Sequence, residues 1–137
     1  MISAVSAQGE FRFMTVRGRI DSDRFLDFIK RLLHGMDRTV FLIVDGHPVH
    51  NEKKVARFIE TVKDRFQFFF LPSYSPELNP HERVWNELKN NAIGKQSIFS
   101  PQHLRRAVIS DWRFIQKTPT RVRSYFNNEL IKYALQC

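Results

Sequence analysis

The stretch Thr39-Val40-Phe41-Leu42-Ile43-Val44-Asp45-Gly46 decides how the rest of the chain is read. Its continuous apolar run reads as a strand covered on both faces, the pattern of a parallel sheet inside an α/β fold. The run ends in Asp45, so an acid stands at the carboxyl end of the strand, where open α/β sheets keep their sites. A carboxylate is costly to bury there unless something pairs with it. Position alone leaves two readings of Asp45 open. It is a ligand for a metal ion, or it caps the following turn through backbone hydrogen bonds.

Working outward, Ile2 to Ser6 and Glu10 to Arg19 read as two strands around the turn Ala7-Gln8-Gly9, a hairpin. Asp21-Ser22-Asp23 opens a helix with Phe25, Ile29, Leu32 and Leu33 at helical spacing and Gly35 at its end. After the central strand, Asn51 is placed to cap a helix that turns Val55, Phe58, Ile59 and Val62 inward. Phe66 to Leu71 is a further strand, and Asn79 starts a helix with Val84, Trp85 and Leu88 inward. Ser100-Pro101 starts the next, carrying Leu104, Val108 and Trp112. A last helical segment holds Val122, Tyr125, Phe126, Leu130 and Tyr133. Hairpin first and then alternation predicts an α/β fold, a mixed sheet flanked by helices.

At 137 residues with 42% apolar content, residues 1–137 are read as one domain with a sizeable core. The net charge of +8 points to an acidic partner, nucleic acid first. The sole cysteine, Cys137, excludes a disulfide framework and a cysteine zinc site within the chain. Met1 to Ser6 lacks the basic and apolar segments of a secretory leader, and no window holds the roughly 18 apolar residues of a membrane span. A bacterial cytoplasmic location without membrane contact is expected.

A second acid, Glu82, lies in Asn79-Pro80-His81-Glu82. Local pattern alone favours a capping role, because Asn79 with Glu82 three residues later resembles a capping box with Pro80 at the first helical position. The preceding loop shifts that balance. Leu71-Pro72-Ser73-Tyr74-Ser75-Pro76-Glu77-Leu78-Asn79-Pro80 carries three prolines in ten residues, which fix an extended route and deliver Glu82 reproducibly.

The segment from Leu71 to Lys89, through Pro80-His81-Glu82-Arg83-Val84-Trp85, resembles the third-carboxylate motif of mariner-type transposases in their bacterial insertion-sequence branch. Val44-Asp45-Gly46-His47-Pro48-Val49-His50 is similar to the second-carboxylate motif of the same family, and 36 residues separate Asp45 from Glu82. The likeness extends from Met1 to about Tyr133. It implies a ribonuclease-H-like fold and three metal-binding acids, with Asp45 the second and Glu82 the third. Glu77 and Glu87 fall at positions that the motif does not use for metal. The implied activity is metal-dependent DNA strand cleavage and strand transfer in transposition of an insertion sequence. The implied partners are transposon ends and target DNA, on the bacterial nucleoid.

The resemblance also exposes a departure. The family's first Asp lies on a strand before the hairpin, so this chain is expected to begin at the second strand. Two matched acids predict weak Mg²⁺ or Mn²⁺ binding and an inactive isolated chain. A non-catalytic DNA-binding or assembly remnant is the alternative reading. A sheet lacking a strand exposes an edge, so a homodimer through that edge is expected. His47, Tyr74, Arg83 and Lys89 are candidate DNA contacts. His47 and His50 have His-x-x-His spacing but lack two further zinc ligands.

Overall fold

The computed structural model describes residues 1–135, the side chain of Asn51 excepted; Cys137 lies outside the described residues. The elements are β1 (Ile2–Val5), β2 (Phe11–Met14), α1 (Ser22–Leu33), β3 (Val40–Val44), α2 (Lys53–Thr61), β4 (Phe66–Phe70), α3 (His81–Glu87), α4 (Pro101–Gln116) and α5 (Pro119–Ser124). Their order is the one that the apolar spacing predicts. Both pairings of a mixed α/β fold are present, distributed over two two-stranded sheets: the β1–β2 hairpin and a parallel β3–β4 pair. With the flanking helices, these strands form an α/β fold of ribonuclease-H-like type. The described residues pack as two compact units, one holding residues 1–3 and 13–75, the other 4–12 and 76–135.

In the first unit, α1 starts where the Asp21 side chain accepts a hydrogen bond from the Arg24 amide at 3.0 Å. A cap of this kind contributes about 1 kcal/mol. The helix ends at Gly35, whose φ of +74° is open to glycine at little cost. Its buried face, with Phe25, Leu26, Ile29 and Leu33, joins Val49, Val55 and Phe66 in one apolar cluster. Val40, Leu42 and Phe68 pack against the same cluster, so α1 and α2 cover a single face of the β3–β4 pair.

The other face is open. Phe41 and Phe69 meet there at 6.2 Å, and each is about half exposed, at 50% and 48%. The expectation that β3 is covered on both faces is therefore corrected. An unbroken apolar run reports hydrophobicity without reporting which side is covered. The second helix also starts one residue later than expected, with Glu52 rather than Asn51 in the cap position and no side-chain cap bond.

The second unit is built on helices around Trp112, Val84, Leu88, Ile115 and Val122, all fully buried. Ser100 caps α4 by accepting from the His103 amide at 3.1 Å, with Pro101 in the first turn. Gly9 sits at φ +100°, and a Cβ there would stand 2.8 Å from the Pro119 carbonyl oxygen, so both conformation and space require glycine. After α3 the helix widens into a π-helical segment, Leu88–Ile93, where a continued α-helix is expected. Wide turns of this kind often occur at functional sites.

Candidate active site

Asp45 follows β3 directly. Its Oδ1 accepts a hydrogen bond from the His47 amide at 3.1 Å, so the turn-capping reading holds for one oxygen. Oδ2 makes no hydrogen bond among the described residues, and the side chain is 61% exposed. One oxygen therefore shapes the turn while the other is free to bind.

His50 packs behind this carboxylate. Its ring lies 4.7 Å from Phe25 and 6.1 Å from Phe68, and its Nδ1 is 3.0 Å from the Asp45 carbonyl oxygen. Burial against these rings pushes the imidazole pKa below its ordinary value, outweighing the opposite pull of Asp45. A neutral His50 makes its 3.4 Å approach to the carboxylate a polar contact rather than an ion pair. The residue supports the turn and packs.

His47 is exposed, and its Nδ1 accepts from the Val49 amide at 3.2 Å. An accepting Nδ1 places the ring proton on Nε2, which is then a donor facing solvent.

Glu82 lies on the first turn of α3, in the second unit. The Asn79 side chain accepts from the His81 amide at 3.0 Å, and the Asn79 carbonyl accepts from the Glu82 amide at 3.1 Å. The cap is thus complete without the Glu82 carboxylate. Glu82 is half-buried as a residue, and its carboxylate makes no hydrogen bond or ion pair among the described residues, so the capping-box alternative is not realised. Glu77 is exposed on the short 3-10 turn Pro76–Leu78. Glu87 is engaged elsewhere, receiving Arg121 Nε at 2.8 Å and the Tyr125 hydroxyl at 2.5 Å.

The other candidates divide between the units. Tyr74, fully exposed, has φ +57°, a left-handed conformation that costs a bulky residue about 1–2 kcal/mol. Such a residue persists where its surroundings hold it, and these positions cluster at functional loops. Arg83 and Lys89 belong to the second unit, and neither is ion-paired among the described residues. The structure brings together Asp45, His47 and His50; it describes Glu82, Arg83 and Lys89 in a separate unit. Among the described residues no group of three or more His, Cys, Asp or Glu is gathered to hold a metal. Two features escaped the sequence reading. One is the Glu87–Arg121–Tyr125 network. The other is the scarcity of acids after Glu87, which a simple count shows.

The fold is α/β, with a free carboxylate oxygen after its parallel strand and an unengaged carboxylate on the first turn of α3. A family model described as DDE superfamily endonuclease matches residues 1–105, and the chain belongs to that family. No curated protein matches it. Membership makes DNA the substrate class, and among the described residues no helix is long and apolar enough to cross a membrane.

Proposed function

We propose that the chain, residues 1–137, is part of the catalytic domain of a mariner-type transposase from a bacterial insertion sequence. In this reading Asp45 and Glu82 hold Mg²⁺ or Mn²⁺ for cleavage and joining of DNA in the cytoplasm. The observation that carries it is the Glu82 carboxylate, which has no partner among the described residues although its helix is already capped. A carboxylate that no protein group engages keeps its oxygens open to a cation.

The donors fit the ion. Both are carboxylate oxygens, the hard ligands that Mg²⁺ prefers, and Asp45 keeps Oδ2 open while Oδ1 holds the turn. When bound, such ions activate water and stabilise the leaving oxygen of a phosphodiester. The chain's own contribution is positional. The His47 amide and His50 fix the Asp45 turn, and the Asn79 cap sets the first turn of α3. Nε2 of His47, Tyr74 and Lys89 supply exposed donors for phosphates, and the half-buried Arg83 adds a guanidinium. Two matched acids, one short of the three that the resemblance implies, leave the 137-residue polypeptide able to bind metal weakly but not to cut. A homodimer through a free sheet edge belongs to the same reading. Sedimentation velocity is expected to show a concentration-dependent dimer, and a strict monomer at high concentration counts against it.

Isothermal titration with Mn²⁺ tests the site. The unmodified protein is expected to bind, and Asp45→Asn and Glu82→Gln are each expected to weaken binding at least tenfold. Equal binding by both variants sinks the metal reading and leaves a DNA-binding remnant.

A further inference from the structure

Residues 88–128 contain eight Lys or Arg and one acid, Asp111, and so carry +7 of the chain's +8. The charge is therefore strongly polarised along the sequence. Much of it is carried by α4 and α5. One face of α4 presents Arg106, Ile109, Ser110, Arg113, Phe114 and Lys117, which line an open depression of about 610 Å³. These positions follow i, i+3, i+4, i+7, i+8 and i+11, a single stripe on a helix. Arg106, Arg113 and Lys117 are exposed, and none is ion-paired among the described residues. The lone acid of the helix is turned away, with Asp111 Oδ2 buried.

An aromatic ring stands in the middle of this stripe. Phe114 is 54% exposed, although neighbouring Ile115 is fully buried. The guanidinium of Arg121, anchored on Glu87 at 2.8 Å, lies 5.3 Å from the Phe114 ring centre. The ring is thus steadied from one side by a cation held in place from below. Unpaired cations flanking an exposed ring are the chemistry that tracks a phosphate backbone while stacking a base.

We propose that this face of α4 binds a single strand of DNA, its phosphates on Arg106, Arg113 and Lys117 and an unpaired base on Phe114. From Arg106 to Lys117 the stripe runs about 16 Å, which faces about five phosphates at ~3.4 Å per nucleotide. The surface lies beyond residue 105, where the family match stops. The inference rests on the proposed function only in taking DNA as the partner; it needs neither Asp45 nor Glu82.

The test is fluorescence anisotropy of the 137-residue protein with a labelled 12-nucleotide oligothymidine and a 12-base-pair duplex, across a salt series. The triple variant Arg106→Gln/Arg113→Gln/Lys117→Gln is expected to bind the single strand about 100-fold more weakly at 0.1 M salt. Its log–log salt slope should shrink by about 2, the value for three lost phosphate contacts. Phe114→Leu is expected to weaken the single strand and leave the duplex unchanged. A control triple, Arg17→Gln/Lys53→Gln/Arg57→Gln, removes the same charge from the first unit and should cost less than threefold. Circular dichroism confirms that each variant is folded. The proposal is overturned if the α4 triple binds as the unmodified protein does, or if the control loses as much. It is also overturned if duplex is preferred and Phe114→Leu has no effect. Asp45→Asn run alongside separates the two readings. Loss of Mn²⁺ binding with DNA binding intact supports the metal site whatever α4 does, and failed Mn²⁺ binding leaves the α4 result standing.

Discussion

Trp112→Ala is expected to destabilise the protein by about 4 kcal/mol, within the range of roughly 3–5 kcal/mol for removal of a buried large aromatic. Trp112 is fully buried and makes edge-on contacts with Phe11 at 5.6 Å and Trp85 at 5.3 Å. It therefore ties the hairpin tip and α3 to α4 within the second unit. Each such ring pair contributes about 0.5–1.5 kcal/mol beyond the area that it buries. Truncation removes both pairs and leaves a cavity where a fully buried indole stood. Against a typical total of about 5–15 kcal/mol, the loss is a large share. Thermal melting followed by circular dichroism should show a fall of roughly 15 °C for a chain of this size. Phe41→Ala, on the open face of the parallel pair, serves as comparison and should cost only about 1–1.5 kcal/mol, since half of its ring already meets water and it has one ring partner, Phe69. A Trp112→Ala melt within 3 °C of the unmodified protein would show that the α3–α4 packing is wrong.

The elements that Trp112 joins were legible because the apolar spacing switches cleanly between strand and helix periods along the chain. Their order agrees with the structure throughout. Boundaries were less legible. The second strand stops at Met14 rather than Arg19, because the chain bends at the exposed Arg17 and at Gly18, whose φ is +78°. The π-helical widening after Glu87 leaves no mark in a periodicity that differs from 3.6 by less than one residue per turn.

For the candidate site, Asp45 and Glu82 stood out by type and place, but not the state of their oxygens. Asn79 and Glu82 fit a capping box by spacing, yet only coordinates show the Asn79 side chain bonding to the His81 amide and leaving Glu82 free. The polar network around Glu87 was hidden for another reason. Arg121 and Tyr125 are 34 and 38 residues away, and no local pattern encodes a pair at that distance.

That network carries the second large effect. Glu87→Ala is expected to cost about 3 kcal/mol. Removing one partner of a buried ion pair costs about 3–5 kcal/mol, and Arg121, 40% exposed, draws the figure to the lower end. Tyr125 is buried and would lose the acceptor of its 2.5 Å hydrogen bond. Burial, and then Glu87, raise the pKa of this phenol, so it remains a donor across the neutral range. Asp111 experiences the same acid with the opposite consequence. Burial first and Glu87 second push its pKa above the ordinary value, and its buried Oδ2 has no partner. A carboxyl whose folded pKa is raised contributes stability that is fully present below the unfolded pKa near 3.9 and is lost as pH rises through the folded value. At neutral pH the ionised Asp111 is therefore a burden. Asp111→Asn should raise the melting temperature at pH 7 and leave it unchanged at pH 3, while Glu87→Ala lowers it at pH 7. The double variant should lose more than the sum of the two separate shifts predicts, because the repulsion between the two carboxylates is relieved by either substitution and the sum counts that relief twice. Strict additivity in that cycle would mean that the two carboxylates do not sense one another, and that burial alone burdens Asp111.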